Sequence, residues 1–194
     1  MNVTAPALLA ATLALAASPA ALAHALQFTG SFAAEAQGAT GSGTLFLEYD
    51  EHGRTLLIQA TWTGLSGTTT NAHIHCCTAT PTAGSAGIAL AQTSNNRLPD
   101  FPLGITSGSY TKVIDLTQQN QYGATFFVAS GGTTALAEKR LIDNLMSGQA
   151  YLNIHTTTFG PGEIRAFVTA VPEPETYALM AAGLGLLALR RRRG

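Results

Sequence analysis

Runs of alternating apolar and polar residues, separated by stretches rich in glycine, serine, threonine, asparagine and proline, recur between residues 26 and 169. Such alternation is typical of half-buried β-strands, because successive side chains of a strand point to opposite faces of the sheet. Trp62 lies on the apolar face of one run and is predicted to anchor the core. Short strands at close spacing favour an all-β fold, an antiparallel sandwich or barrel, over an α/β fold. The runs predict strands at residues 26–33, 44–49, 54–63, 71–75, 110–116, 151–156 and 163–169, with a shorter apolar segment at 88–91.

One segment has the period of a helix instead. Thr134 is placed to cap its start, Gly148 to end it, and Glu138 is expected on its solvent-facing side. The sequence therefore predicts one amphipathic helix inserted among the strands. Its apolar residues recur four positions apart between residues 135 and 146: Ala137, Leu141 and Leu145.

The N-terminal end has the features of an export signal. An apolar run rich in alanine and leucine covers residues 7–17 and is followed by Pro19 and the small-residue pattern Ala21-Leu22-Ala23. This arrangement predicts a secretory signal peptide at residues 1–23, which signal peptidase removes. Cleavage after Ala23 would make His24 the new N-terminus, and cleavage two residues later remains an alternative.

The C-terminal end, residues 171–194, has three parts in order: a Pro-Glu-Pro motif, an uncharged stretch over residues 177–189, and four arginines. The stretch is shorter than the about 20 residues that a helix needs to cross a bilayer, and arginines beside an apolar helix stay on the cytoplasmic side. The residues concerned are Pro172, Glu173, Pro174, Arg190, Arg191, Arg192 and Arg193.

This ending resembles the PEP-CTERM sorting signal of Gram-negative bacteria. The resemblance implies a transient inner-membrane anchor formed by the C-terminal helix, cleavage by an exosortase, and delivery to the cell surface, the outer membrane or the extracellular matrix. An ordinary membrane anchor is the alternative. Extracellular polysaccharide is then a candidate partner, and residues 24–170 are expected to form the mature domain.

Charge and motifs narrow the function classes. Residues 24–171 carry six lysines and arginines against nine aspartates and glutamates, a net charge of about −3, with no basic stripe. This distribution argues against a nucleic-acid partner. No Gly-x-Ser-x-Gly, phosphate-binding loop or His-Glu-x-x-His motif is present, so no catalytic residue is predicted. A binding or structural component is favoured over an enzyme.

The segment Asn71-Ala72-His73-Ile74-His75-Cys76-Cys77 concentrates candidate chemistry. His73 and His75 are two residues apart on a predicted strand and therefore share a face. Copper and zinc bind neutral imidazoles and usually need three or four ligands, so His155 on a late strand is the candidate third ligand and His24 a further one. A pair of hydrogen-bonded or surface histidines is the alternative. His52 lies in a predicted turn and is expected to be exposed.

Two further pairs are predicted. The adjacent Cys76 and Cys77 of an exported protein can form a vicinal disulfide, remain free, or supply a thiolate to a metal, and we rank them in that order. Glu163 and Arg165 share a face of the last strand and are expected to form a structural ion pair.

Three blocks carry a resemblance to a family: the His-Ile-His segment, residues 150–156, and Gly160-Pro161-Gly162-Glu163-Ile164-Arg165. Together they resemble the CHRD domain over roughly residues 28–169. The resemblance implies an immunoglobulin-like β fold but no established activity, and Cys76-Cys77 stand where the family usually has glycine. The order of histidines also resembles copper/zinc superoxide dismutase, although this chain has too few histidines for a two-metal site.

Overall fold

The computed structural model describes residues 25–172, 183–184 and 190–191. The predicted signal peptide with His24, and most of the sorting tail, lie outside these ranges. No helix within the described ranges is long and apolar enough to span a membrane. The elements are β1 (Ala25–Ala34), β2 (Ser42–Asp50), β3 (Thr55–Thr63), β4 (Thr69–Cys76), β5 (Ile88–Leu90), β6 (Gly108–Asp115), α1 (Ala124–Ala129), α2 (Thr134–Met146), β7 (Ala150–Thr156), β8 (Ile164–Phe167) and β9 (Thr169–Ala170).

The strands form one antiparallel, strongly curled sheet in the order β5-β4-β7-β8-β1-β2-β3-β6, with β9 beside β1. Strand β1 connects the two halves of this half-barrel. Residues 25–32 pair with β2, whereas Ala33 and Ala34 pair with β8. The prediction of an all-β antiparallel fold is confirmed. The predicted strand 163–169 is divided, because β8 pairs with β7 and β9 pairs with β1.

The core fills the concave side of the curled sheet, where the alternating apolar side chains of the strands meet. On β3, every second residue from Leu56 to Trp62 is buried, as the pattern predicts. Trp62 is 3% exposed and stacks on Phe101 with 5.3 Å between ring centroids. Its predicted role as a core anchor is confirmed.

Helix α2 lies where the pattern predicts it, but its cap and one of its faces differ from the prediction. The N-cap is Thr133 rather than Thr134, and its hydroxyl accepts a hydrogen bond from the backbone N–H of Leu136 at 3.3 Å. Glu138 is buried instead of solvent-facing. Its carboxylate forms an ion pair with Arg54 and accepts a hydrogen bond from the Tyr49 hydroxyl at 2.8 Å.

The position of Glu138 has a simple cause. Residue 138 is three and four residues before Leu141 and Ile142, so it belongs to the apolar stripe of the helix, which packs on the sheet. Helix α1 was not predicted, because its six residues are too few to show a helical period.

The last strands pair as a hairpin, with β7 and β8 antiparallel, but the predicted Glu163–Arg165 ion pair is not formed. Glu163 is buried and accepts hydrogen bonds from the Thr156 hydroxyl and from the backbone of Ser66. Arg165 instead lies 3.7 Å from the carboxylate of Glu35. Glu163 and Arg165 have different partners because Ser66 and Glu35, which contact them, come from different and distant parts of the chain.

Candidate metal centre

Three histidines meet on one face of the β4–β7 pair. Strand β4 lies between β5 and β7, and its register places Asn71 opposite His155 and His73 opposite Asn153. His155 is therefore diagonal to His73 across the two strands. One ring nitrogen from each of His73, His75 and His155 lies within 4.8 Å of the other two. The structure thus brings together the three residues predicted from the sequence as metal ligands.

A backbone carbonyl anchors each imidazole through the ring nitrogen that faces away from this meeting point. His73 Nε2 lies 2.6 Å from the Asn96 carbonyl, His75 Nδ1 lies 2.8 Å from that of Ala86, and His155 Nδ1 lies 2.7 Å from that of Gly160. A carbonyl oxygen can only accept, so these nitrogens are the N–H donors, which assigns the tautomers. In a neutral imidazole the remaining nitrogen carries a lone pair.

These lone pairs point at one another. His73 Nδ1 lies 3.0 Å from His155 Nε2, and in the neutral tautomers both atoms are acceptors. His75 Nε2 is buried and has no hydrogen-bond partner. A buried polar atom without a partner costs free energy, and facing acceptors repel, so the arrangement is complementary to a cation.

Two of the histidines, His73 and His75, are held in the form that binds metals. Burial lowers the pKa of His73 to about 4, although the hydrogen bond to Asn96 opposes this effect. Burial also lowers the pKa of His75. Both imidazoles are therefore neutral near pH 7, and neutral imidazole is the form that metals bind.

Tight turns supply the anchoring carbonyls. Asn96 has a positive φ of 52° in the turn that returns Arg97 to pair with Gln92. Ala86 belongs to the loop that is tied to the end of β4 by the hydrogen bond from the Cys76 N–H to Gly87 at 3.0 Å. Gly160 begins the turn between β7 and β8. Because these carbonyls lie in loops outside the two strands that carry the histidines, histidine spacing alone could not identify them.

Asn153 is a site residue that the sequence analysis did not name as a ligand. It is 1% exposed, and its Oδ1 lies 3.1 Å from His155 Nε2. Strand alternation could have identified Asn153 from the sequence, because residues 153 and 155 share a face of β7. Tyr151, on the same face, stacks on His75 with 5.0 Å between ring centroids.

Cys76 and Cys77 form a disulfide, the pairing that the sequence analysis ranked first. The third-ranked alternative, thiolate ligation, does not fit this state, because a disulfide sulfur carries no thiolate charge and Cys76 is buried in the apolar core. His52 is exposed in the turn between β2 and β3, as expected.

Comparison with known proteins agrees with this architecture. The family model of the CHRD domain matches residues 23–168, and that of the PEP-CTERM protein-sorting motif matches residues 170–193. Comparisons with curated proteins and with solved structures give no match. The sorting motif implies processing by an exosortase and export towards the cell surface or the extracellular space. The CHRD match covers most of the chain, which therefore belongs to the CHRD domain family and ends in a PEP-CTERM sorting signal.

Proposed function

We propose that this protein is an exported binding component of the cell surface or extracellular matrix that holds one copper or zinc ion through His73, His75 and His155. The observation that carries the proposal is the convergence of three anchored imidazole lone pairs, one of them buried and without a partner. Carbonyls that orient the non-binding nitrogen of each histidine are the usual outer contacts of a metal site.

The donor set selects the class of metal. Copper and zinc bind imidazole nitrogen at about 2.0 Å, and His73 and His155 need only small rotations to place their nitrogens around a shared ion. Calcium and magnesium prefer oxygen ligands and are disfavoured here. Copper is expected to bind more tightly than zinc, as it does at most nitrogen sites.

Metal content of the exported protein tests this proposal. The full-length gene would be expressed in a host with a working exosortase, and the mature protein would be purified and analysed by mass spectrometry for bound metals. We expect about one copper or zinc per chain. Metal should be lost from H73A and H155A, whereas H52A, which changes an exposed histidine, should keep it. A wild-type protein that retains no metal and takes up none from added Cu(II) or Zn(II) would overturn the proposal.

The same preparation tests the proposed processing. We propose that the mature chain spans residues 24–170, because the signal peptide and the sorting tail are both removed. Intact mass and N-terminal sequencing would give the two cleavage points. A protein that keeps its arginine tail in cells with a working exosortase, or that stays in the cytoplasm, would contradict this part of the proposal.

A copper ion held by three histidines leaves a coordination position open and could cycle between two oxidation states. This redox role is the alternative to a binding role. Assays of superoxide removal with the copper-loaded protein, with H155A as control, distinguish the two. Turnover that depends on His155 would establish the redox role and replace the binding role.

A second candidate function is adhesion to a neutral extracellular polysaccharide. The convex face of β1, β2, β3 and β6 presents exposed hydroxyl and amide groups in register across the four strands. Thr44 and Thr61 are hydrogen-bonded there at 2.8 Å. One row crosses the strands through Ser31, Thr44, Thr61 and Ser109, and the next through Thr29, Phe46, Gln59 and Thr111.

These rows line a groove of about 780 Å³ that also includes the half-buried ring of Phe167. Its lining contains no charged side chain, so an uncharged polyol is a better match than an ionic polymer. Affinity electrophoresis in gels containing hydroxyethyl cellulose tests the idea. Retardation of the wild type, lost in T61E and kept when a glutamate is placed at the exposed Val128 of α1, is the expected result. Equal mobility of all three in the presence and absence of the polymer would remove this candidate.

A further inference from the structure

We infer that Asn153 supplies a fourth ligand to the proposed metal through its Oδ1 atom, and that Glu35 is the residue that positions it. This inference rests on the proposed metal site and adds two residues to it. It makes the site a four-ligand set of three nitrogens and one oxygen. The argument follows from the contacts of the Asn153 amide.

The Asn153 side chain is buried and its two ends have different partners. Its Oδ1 lies 3.1 Å from His155 Nε2, the nitrogen that already faces His73 Nδ1. His155 Nδ1 is the N–H donor to Gly160, so in the neutral imidazole, the form that binds a metal, Nε2 has no proton to give to the amide oxygen. An amide oxygen and two imidazole lone pairs thus face one another in a buried place, and a cation resolves all of these contacts at once.

Glu35 determines which end of the amide faces the histidines. Its Oε2 accepts a hydrogen bond from Asn153 Nδ2 at 3.3 Å. A carboxylate accepts and does not donate, so it selects the orientation that directs Oδ1 towards His155. Arg165 holds the other carboxylate oxygen at 3.7 Å. Glu35 directly follows the end of β1 and Asn153 lies on β7, and the two residues are 118 positions apart in sequence.

The turn after β7 leaves room for this contact. Gly162 has a positive φ of 139°, and a side chain at this position would collide with the Glu35 carboxylate and approach the Asn153 amide. A glycine here permits the carboxylate to reach Asn153. The close approach of Glu35 is therefore built into the backbone of the β7–β8 turn.

The inference predicts the sign of a change in affinity. If Asn153 Oδ1 is a ligand, N153L removes it and weakens the binding of Cu(II) and Zn(II). Loss of an outer contact of a metal site costs about ten- to hundredfold in affinity, and loss of a ligand should cost no less. N153D, which keeps an oxygen in the same place, should retain most of the affinity. If the amide instead donates an N–H to His155 Nε2, it competes with the metal, and N153L should bind more tightly.

The probes are Cu(II) and Zn(II), added to the metal-free mature protein in competition with a chelator of known affinity. Copper electron paramagnetic resonance is a second readout, because loss of the Asn153 oxygen from the coordination sphere of Cu(II) changes the g values and the hyperfine splitting. N144L, which changes an asparagine on α2, is the matched control. Unchanged or increased affinity in folded N153L, with an unchanged copper spectrum, would overturn the inference.

The variants E35A and E35Q test whether Glu35 positions the Asn153 amide. E35A removes the acceptor and is expected to weaken metal binding about ten- to hundredfold, as loss of an outer contact does. E35Q keeps an oxygen that can accept from Asn153 Nδ2 and should restore much of the affinity. E48A, which removes a β2 carboxylate that accepts a hydrogen bond from Gln27, is the control and should leave binding unchanged. Equal affinities for E35A, E35Q and the wild type would contradict the positioning role.

The results for H155A and N153L distinguish failure of the fourth ligand from failure of the proposed three-histidine site. If H155A and the wild type both fail to bind metal, the proposed site itself is wrong. If H155A loses binding but N153L does not, the three-histidine site stands and the fourth ligand is wrong. If N153L fails to fold, as judged by circular dichroism, N153D and the Glu35 pair still decide the question.

Discussion

The Nδ1 atom of His73 lies 3.0 Å from the Nε2 atom of His155, and when both rings are neutral these two nitrogens are acceptors, because the opposite nitrogen of each ring donates to a backbone carbonyl. The two residues are 82 positions apart and lie on neighbouring strands. Their contact is unfavourable without a proton or a metal between them. Binding of a metal at this contact should therefore raise the stability of the fold.

A bound metal should stabilise the fold by an amount set by the ratio of its free concentration to its Kd. A ligand that binds only the folded state adds about 2.7 kcal/mol to the free energy of unfolding when its free concentration is one hundred times its Kd. We expect Cu(II) or Zn(II) at this ratio to raise the Tm of the mature protein. Differential scanning calorimetry measures the change. H155A should show no such increase, and an equal increase in H155A would place the ion elsewhere.

The metal-free protein should lose stability as the pH falls below the ordinary pKa of histidine. His73 has a pKa of about 4 in the folded state because of burial, against 6.5 as the ordinary value. The unfolded chain therefore binds the proton first, so the stability from neutral His73 is present above pH 6.5 and is lost between about pH 6.5 and 4. The loss is on the order of 3 kcal/mol.

Urea unfolding of the metal-free protein at several pH values between 7.5 and 4 measures this loss. A variant with His73 replaced by glutamine lacks the titrating group, so its stability should fall less over the same interval. His75, whose pKa burial also lowers, should contribute in the same direction. Parallel pH profiles for the wild type and H73Q would show that His73 is not the group responsible.

Asn96 should matter through its backbone rather than its side chain. Its φ of 52° is in the left-handed region, and its carbonyl accepts the hydrogen bond from His73 Nε2. A β-branched residue is strained there by about 1–2 kcal/mol, whereas glycine is not. We expect N96V to lower both the free energy of unfolding and the metal affinity, and N96G to preserve the affinity. Chemical denaturation and metal titration of the two variants check this, and equal behaviour would exclude a role for the turn.

Glu163 should stabilise the fold in a pH-dependent way. Burial raises its pKa, but hydrogen bonds from Thr156 and from the backbone of Ser66 and Gly67 outweigh this effect, so the pKa is lowered overall. The stabilisation is therefore present above the ordinary value of 4.5 and is lost as the pH falls through the lowered pKa.

E163Q should cost about 1–3 kcal/mol at pH 7, because it leaves buried donors poorly paired. The difference from the wild type should shrink at acidic pH, where Glu163 itself is protonated. Urea titrations of both proteins at pH 7 and pH 3 measure it. E51Q, at an exposed turn position, is the matched control. A difference that is independent of pH would show that the charge of Glu163 is not what stabilises the loop.

Local sequence patterns account for the elements themselves. Strand alternation located β3 and put Trp62 on the buried face, and helical spacing located α2, because both depend on neighbours within a few residues. The shared face of His73 and His75 follows from the same rule. The predicted signal peptide and the sorting motif are also local patterns, and the family match confirms the sorting motif.

Tertiary structure decided which distant groups complete each local pattern. It gave Arg165 the carboxylate of Glu35 instead of Glu163, and it buried Glu138 against Arg54. These contacts depend on the order of the strands in the sheet and join residues that are far apart in sequence. The periodicity of the sequence carries no information about either.

The candidate metal centre shows both contributions. Sequence alone named its three histidines, because their spacing and residue type are local signals. Only the register of β4 against β7 put His155 within reach of His73, and only the pairing of the end of β1 with β8 brought Glu35 to Asn153. The physical reason is that a ligand set is defined by distances of a few ångströms between groups that the chain separates, and folding alone determines those distances.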